Sequence, residues 1–220
     1  MKNNSEISFE SGLDIKGSTW IDVRCPREFL KGHFVGAINI PIFSNTEYEE
    51  LGTIYRTKGQ REAVQLGQKY AEKSTPNILN QILNLNSQNL IIYCARGGMR
   101  SEGMKLILNN SNISIYRINK GYKSIRKYTL NGFNQKRDVI IIAGSTGTGK
   151  TEILKNMGID GYNIIDLEGL ANHKGSAFGD LGLEIQPTQQ QFENDLSVKW
   201  INTDRDNPVF IESESRKIGK

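Results

Sequence analysis

The sequence predicts an α/β protein with parallel sheets, organised as two consecutive domains. Three observations predict it. Short apolar runs alternate with helix-like segments, the pattern of strands joined by crossover helices. A polar stretch, "NGFNQKRD" (131–138), interrupts that alternation, after which a strand, a Gly-rich loop and a helix begin anew. The 220 residues suffice for two small cores, placed at 1–133 and 134–220.

In the first domain, "TWIDVR" (19–24) reads as a buried strand ending in charge, and "GAINIP" (36–41) as a second strand closed by proline. Between them "CPREFLKGHFV" suits a short helix and a turn. Apolar residues recur at helical spacing from Gln60 to Tyr70 and again over Ile78–Leu85, giving a helical insert. "NLIIYC" is the next strand, "GGMRSEGMKLILNN" its helix, and "ISIYRI" a further strand before "NKGYKSIRKYTL". In the second domain "VIIIAG", "YNIID" and "PVFIES" read as strands, and "KTEILKNMG" as a helix. Three strands are few for a doubly wound sheet.

Bulk properties exclude several classes. Hydrophobic residues make up 37% and charged residues 24%, an ordinary globular balance. No stretch approaches the ~20 apolar residues of a membrane span, and "MKNNSEISFE" lacks a signal-peptide core, so a cytoplasmic address without membrane partners is expected. Two cysteines cannot form a disulfide scaffold and are expected as thiols. The charge of +4 is uneven: 18 Lys and Arg against 11 Asp and Glu over 1–133, and 10 against 13 over 134–220. A basic first domain could meet a polyanion such as RNA, although on charge alone an ordinary solvated surface is the favoured reading.

Cys94 stands where a strand ends and a helix begins. The positive end of a helix dipole and nearby N–H groups favour a thiolate there. Gly97 and Gly98 let the backbone curl into an anion nest. Arg96 and Arg100 add positive charge that lowers a thiol pKa and binds oxyanions. A strand-end cysteine is commonly a small buried apolar residue, but a core thiol has no use for two Arg and two Gly within six residues. The loop alone leaves a Cys-dependent phosphatase and a sulfurtransferase open. The upstream "IDVRCPREFLKGHFVGAINIP" closely resembles the rhodanese pattern of Asp-Val-Arg, Glu-Phe, Gly-His, Gly-Ala and Asn-Ile-Pro, with Cys94 at the nucleophile position. That favours the sulfurtransferase type. Cys25, inside the pattern, reads as a passive residue before Pro26 rather than a resolving thiol.

"GSTGTGKT" (Gly144–Thr151) satisfies G-x-x-x-x-G-K-[ST] between a strand and a helix. Gly144, Gly147 and Gly149 shape a phosphate cradle, Lys150 supplies counter-charge, and Thr151 is available to Mg²⁺. ATP, GTP or any diphosphate ester fits such a cradle. Asp166 is the nearest candidate for a second metal-coordinating acid, with Glu212 and Glu214 as alternatives; each also reads as a solvated strand-end carboxylate.

A rhodanese-like domain ahead of a P-loop domain resembles the tRNA 2-selenouridine synthases. The resemblance is carried by "LGTIYRTKGQREAVQLG", "YCARGGMRS", "GYKSIRKY", "GSTGTGKTEIL", "DLEGLANHKGSAFG" (Asp166–Gly179), "IQPTQQQFEN" and "IESESRKIG", covering nearly all of the chain. It implies a two-step selenotransferase. The wobble 2-thiouridine of tRNA is first alkylated with geranyl diphosphate, and selenium from selenophosphate then replaces the S-geranyl group. Cys94 is implied as a selenium carrier, and the nest with its two Arg as the selenophosphate site. The P-loop is implied as the diphosphate site. Lys120, Lys123, Arg126 and Lys127, with Tyr122 and Tyr128, offer an RNA face. Asp166, His173 and Lys174 are candidate supporting residues: His173 and Lys174, in a Gly- and Ser-containing loop after a strand, read either as holders of diphosphate or RNA phosphate or as part of a loop packed on the P-loop. Implied partners are a tRNA with wobble 2-thiouridine and a supplier of selenophosphate. No tightly bound cofactor is expected. The family's second domain runs well past the point where this chain stops, at "SRKIGK", so an incomplete P-loop domain is expected. A plain sulfurtransferase with a Cys94 persulfide and a non-catalytic tRNA- or nucleotide-binding module are the competing readings.

Overall fold

A computed structural model describes residues 4–145, 147–172 and 186–213. The chain divides into two compact units, 1–126 and 127–220.

The first unit is built on five strands: β1 (Asn4–Ile7), β2 (Ser18–Asp22), β3 (Ile38–Asn39), β4 (Asn89–Tyr93) and β5 (Ser114–Ile118), in the order β1-β5-β4-β2-β3. Every pairing is parallel. Leu90 to Tyr93 of β4 are buried without interruption, as a strand covered on both faces requires. With the sheet go α1 (Phe9–Leu13), α2 (Pro26–Lys31), α3 (Asn45–Thr57), α4 (Gln60–Asn84) and α5 (Met99–Ile107), while α6 (Gly121–Gly132) begins in the first unit and runs on into the second. The core joins Ile21, Ile40, Ile78, Ile82, Leu90, Ile92, Met104 and Ile115.

Three local outcomes differ from the sequence expectation. "GAINIP" forms only the two-residue β3, paired to β2 through Ile40 N to Asp22 O (3.0 Å), because Gly36 at φ +77° turns the chain before it and Pro41 has no N–H to extend the ladder. The helical insert is two helices, of which α4 runs unbroken through Pro76. Ser74 and Thr75 hydroxyls donate back to Tyr70 O (3.0 Å) and Ala71 O (2.8 Å), satisfying carbonyls just ahead of the proline. α3 starts on a capping box, Ser44 Oγ accepting from Glu47 N while Glu47 accepts from Ser44 N. Third, an N-terminal β1 pairs with β5, although its alternation is too polar to read as a strand.

The rhodanese-pattern residues form a buried latch at the C-terminal end of β2. Arg24 Nη2 donates to Asp22 Oδ2 (2.5 Å) and to Gly32 O (2.7 Å), and its guanidinium lies 3.9 Å from the Tyr122 ring centre. Asn39 Nδ2 donates to both Asp22 O and Arg24 O (2.9 Å each). Arg24 is 4% exposed and Asp22 fully buried, so each charge depends on the other.

The second unit holds β6 (Val139–Ile142), β7 (Asn163–Ile165) and β8 (Val209–Glu212) in the parallel order β6-β8-β7, with α7 (Lys150–Ile159), α8 (Leu167–Ala171) and α9 (Gln189–Ile201). Trp200 Nε1 donates to Gln135 O (3.2 Å), tying α9 to the segment after α6.

Removing one partner of the buried pair strands the other. Asp22→Ala is expected to destabilise the first unit by about 3–5 kcal/mol. Urea unfolding followed by Trp20 fluorescence in a Trp200→Phe background measures it.

Candidate functional site

β4 delivers Cys94 to the start of the loop that leads into α5. The thiol is 3% exposed, and the Gly98 N–H donates to its Sγ at 3.2 Å. The Ser101 Oγ lies 3.4 Å from Sγ and donates to Gly98 O (2.9 Å), so one hydroxyl proton is shared between carbonyl and sulfur as the thiol ionises. Burial disfavours the charged form. The Ser101 hydroxyl, the N–H groups of Arg96 and Ser101, and the Arg100 charge outweigh it, and the Cys94 thiol is held below its ordinary range.

The loop is seated backbone to backbone on the turn between β5 and α6. Tyr122 N donates to Cys94 O (2.8 Å) and Lys123 N to Ala95 O (3.1 Å). Gly121, at φ +53°, leaves no room for a side chain: a Cβ there would stand 2.1 Å from Cys94 O and 2.6 Å from Gly97 N. Gly97, at φ +69°, faces the same turn, where its Cβ would meet Lys120 N at 2.8 Å.

The two loop arginines differ in placement. Arg96 is exposed. Arg100 is largely covered, pairs with both carboxylate oxygens of Glu28 and lies over the Tyr48 ring at 4.7 Å. Glu28 also accepts from Cys25 N (3.2 Å) and Cys25 Sγ (3.3 Å), which fixes Cys25 as the N-cap of α2. Burial, together with the Glu28 carboxylate, pushes the Cys25 thiol up. The two cysteines are thus tuned in opposite directions.

In the second unit, Gly149 at φ +80° is the N-cap of α7 and Gly147 has φ +82°, the left-handed turns a phosphate loop uses. Lys150 Nζ folds over the loop, donating to Gly144 O (3.1 Å) and Ser145 O (3.4 Å). The Thr151 hydroxyl donates to Glu212 (2.8 Å), with Glu168 at 3.2 Å. Burial pushes the Glu212 carboxyl up, reinforced by the Asp166 and Glu168 charges. One hydroxyl and two carboxylates are the oxygen donors that Mg²⁺ takes. Asp166 instead caps α8 by accepting from Gly169 N (2.7 Å) and pairs with Lys155 (3.4 Å). His173, Lys174 and Glu214 lie outside the described residues.

Comparison with known proteins agrees with this anatomy. The model described as "Rhodanese-like domain" matches residues 8–128, over half of the chain. The chain belongs to the rhodanese-like family. Beyond this rhodanese-like part, the model described as "tRNA 2-selenouridine synthase AAA domain" matches residues 137–220. A Nitrosomonas europaea protein named tRNA 2-selenouridine synthase is 37% identical over 99% of the chain, and one of the same name from Shewanella frigidimarina is 38% identical over 91%. The chain spans 59% and 56% of those relatives' lengths. A solved structure, the N-terminal domain of a putative ATP/GTP binding protein from Clostridium difficile 630, is 39% identical with a TM-score of 0.53, over 56% of this chain and 98% of that one. The resemblance to tRNA 2-selenouridine synthases therefore holds for both parts of this rhodanese-like chain.

Sequence reasoning gave no individual role to Ser101, Glu28, Gly121 or Glu168, although each stands inside a motif that carries the resemblance: Glu28 in the Glu-Phe of the rhodanese pattern, Ser101 in "YCARGGMRS", Gly121 in "GYKSIRKY" and Glu168 in "DLEGLANHKGSAFG".

Two outcomes test the cysteine tuning. The rate of Cys94 alkylation by iodoacetamide against pH should inflect below the roughly 8.5 of a free cysteine, and Ser101→Ala should move that inflection upward. Cys25 should inflect above it. Gly121→Ala, which drives a methyl into Cys94 O, should abolish the depressed inflection while Gly17→Ala, at an open turn, leaves it in place.

Proposed function

We propose that the chain works as a tRNA 2-selenouridine synthase, exchanging the sulfur of a wobble 2-thiouridine for selenium through an S-geranyl intermediate. The observation that carries the reading is the pairing, in one chain, of a thiol tuned toward the thiolate with a phosphate loop inside a synthase-type AAA match. The division of labour follows from the chemistry of each site. In the first step the sulfur of the base attacks the allylic carbon of geranyl diphosphate, and the departing diphosphate is held by the α7 N-terminus and Lys150. Mg²⁺ held by Thr151, Glu212 and Glu168 would neutralise further diphosphate charge. In the second step the selenium of selenophosphate adds to the base carbon bearing the geranylated sulfur, which leaves as geranyl thiol, and water then cleaves the Se–P bond to release phosphate and 2-selenouridine. The Cys94 thiolate and the N–H groups of its loop handle the selenium donor. Arg96, exposed at the loop, is free to meet its phosphoryl oxygens. Lys120, Lys123, Lys127 and Tyr128 supply cations and an aromatic face for RNA.

Incubation with 2-thiouridine tRNA, geranyl diphosphate and selenophosphate, followed by nucleoside mass spectrometry, tests the reading. The expected product is 2-selenouridine. Cys94→Ser should stop at S-geranyl-2-thiouridine, and Lys150→Ala should slow geranylation about a hundredfold or more. Unchanged 2-thiouridine, with a full-length relative active alongside, would overturn the proposal for this chain.

A further inference from the structure

Between α3, α4 and α5 lies a cavity of about 480 Å³ with an overwhelmingly apolar lining. That volume is within the range of small-molecule sites, roughly 300–1,000 Å³. Phe43, Leu51 and Val64 form part of its wall, while Tyr55, Met99 and Leu106 at its rim stay 57%, 60% and 66% exposed.

Each of the three helices turns a glycine into this space: Gly52 on α3, Gly67 on α4 and Gly103 on α5. None of the three has a positive φ. Nor does crowding require them. A Cβ at Gly52 would meet nothing within 4 Å, one at Gly103 only Ile42 Cδ1 at 3.8 Å, and one at Gly67 would make ordinary contacts from 3.5 Å. Glycine is among the poorest residues for a helix interior. Three helices therefore carry an unfavourable residue, and the space it keeps open belongs to one shared apolar cavity.

The location ties the cavity to the cysteine. Met99 and Arg100, both lining it, belong to the first turn of α5, which directly follows Gly98, the residue whose N–H holds Cys94 Sγ. Charges near the opening are already paired: Arg100 with Glu28, and Glu102 with Arg117. A ligand entering here meets hydrocarbon and neutralised charge.

We propose that this cavity is a prenyl subsite, seating the ten-carbon chain of the S-geranyl base so that its sulfur end faces the Cys94 loop. The inference rests on the S-geranyl reading above and adds the place where that chain is held. A methylene takes about the ~30 Å³ of a water, so ten carbons fill roughly 300 Å³ and leave room at the mouth for the base edge. The subsite explains how a domain of the sulfurtransferase type selects an alkylated base over a bare thiocarbonyl. The hydrocarbon is the feature recognised, and it departs with the sulfur once exchange is complete.

The test is calorimetric titration of the whole chain with S-geranyl-2-thiouridine and S-methyl-2-thiouridine, neither of which carries a diphosphate for the P-loop. The geranyl nucleoside should bind about a hundredfold more tightly. Gly52→Leu and Gly103→Leu should bring it to the level of the methyl compound, with thermal melting confirming the fold. Gly52→Ala and Gly103→Ala should raise the melting temperature and weaken geranyl binding severalfold, which keeps the test alive if a leucine variant does not fold. Equal affinity for the two nucleosides, or a preference that survives in the filled variants, overturns the subsite. The two proposals fail separately. Absent selenation with the geranyl preference intact refutes the functional reading alone, while turnover of S-geranyl tRNA with unchanged KM in the filled variants refutes the subsite alone.

Discussion

The first unit depends on one contact, the seating of the cysteine loop against the turn after β5. Two stretches of backbone meet there with no side chain between them, and Gly97 and Gly121 are the residues that make the approach achievable. From that contact follow the direction of the Cys94 N–H cradle, the start of α5 and the position of Ser101. The bonds from Tyr122 N and Lys123 N to the loop carbonyls leave the loop's own N–H groups free to face the sulfur. The N–H cradle around the sulfur is therefore a product of chain geometry before it is a matter of charge.

Charge acts on top of that geometry, and Glu28 governs it. Arg100 contributes to Cys94 from an ion pair with Glu28, not as an unpaired cation in the nest. The same carboxylate holds Cys25 as a capped thiol. The two thiols therefore diverge for different reasons: burial and this carboxylate raise Cys25, while at Cys94 burial is outweighed by the Ser101 hydroxyl and the loop N–H groups, which lower it. Arg96 remains the exposed cation of the loop. The second unit follows a related logic, with Glu212 and Glu168 gathered on Thr151 beneath a helix N-terminus.

The parts of this anatomy that lie close together in sequence could be read there. The apolar runs of β4, β6 and β8, the P-loop and the cysteine loop each carry their signal within a dozen residues, and each forms the expected element. What escaped depends on distant partners. Glu28 is 72 residues from Arg100, and Glu212 is 61 from Thr151, so only folding shows which carboxylate meets which group. Asp166 was the nearest candidate acid at a strand end, and it caps α8 by accepting from Gly169 N. α9 escaped because "QQQFENDLSVKWI" lacks a strong apolar stripe, although Thr188 is an ordinary N-cap. Gly52 and Gly67 stand inside the quoted "LGTIYRTKGQREAVQLG", but nothing in that motif announces a cavity, because an empty volume has no residue of its own.

The latch at Asp22, Arg24 and Asn39 bears on how such proteins are recognised. These residues make the chain look like a rhodanese, yet in this structure they bond to one another, to backbone carbonyls and to an aromatic ring. They hold up the strand end from which the reactive loop is presented and leave the transferred atom to residues elsewhere. A signature made of scaffold says little by itself about the cargo. In this chain the pattern that identifies the family and the walls of the nearby apolar cavity are different parts of the molecule. Assigning a substrate then turns on those walls, where α3, α4 and α5 leave a volume open.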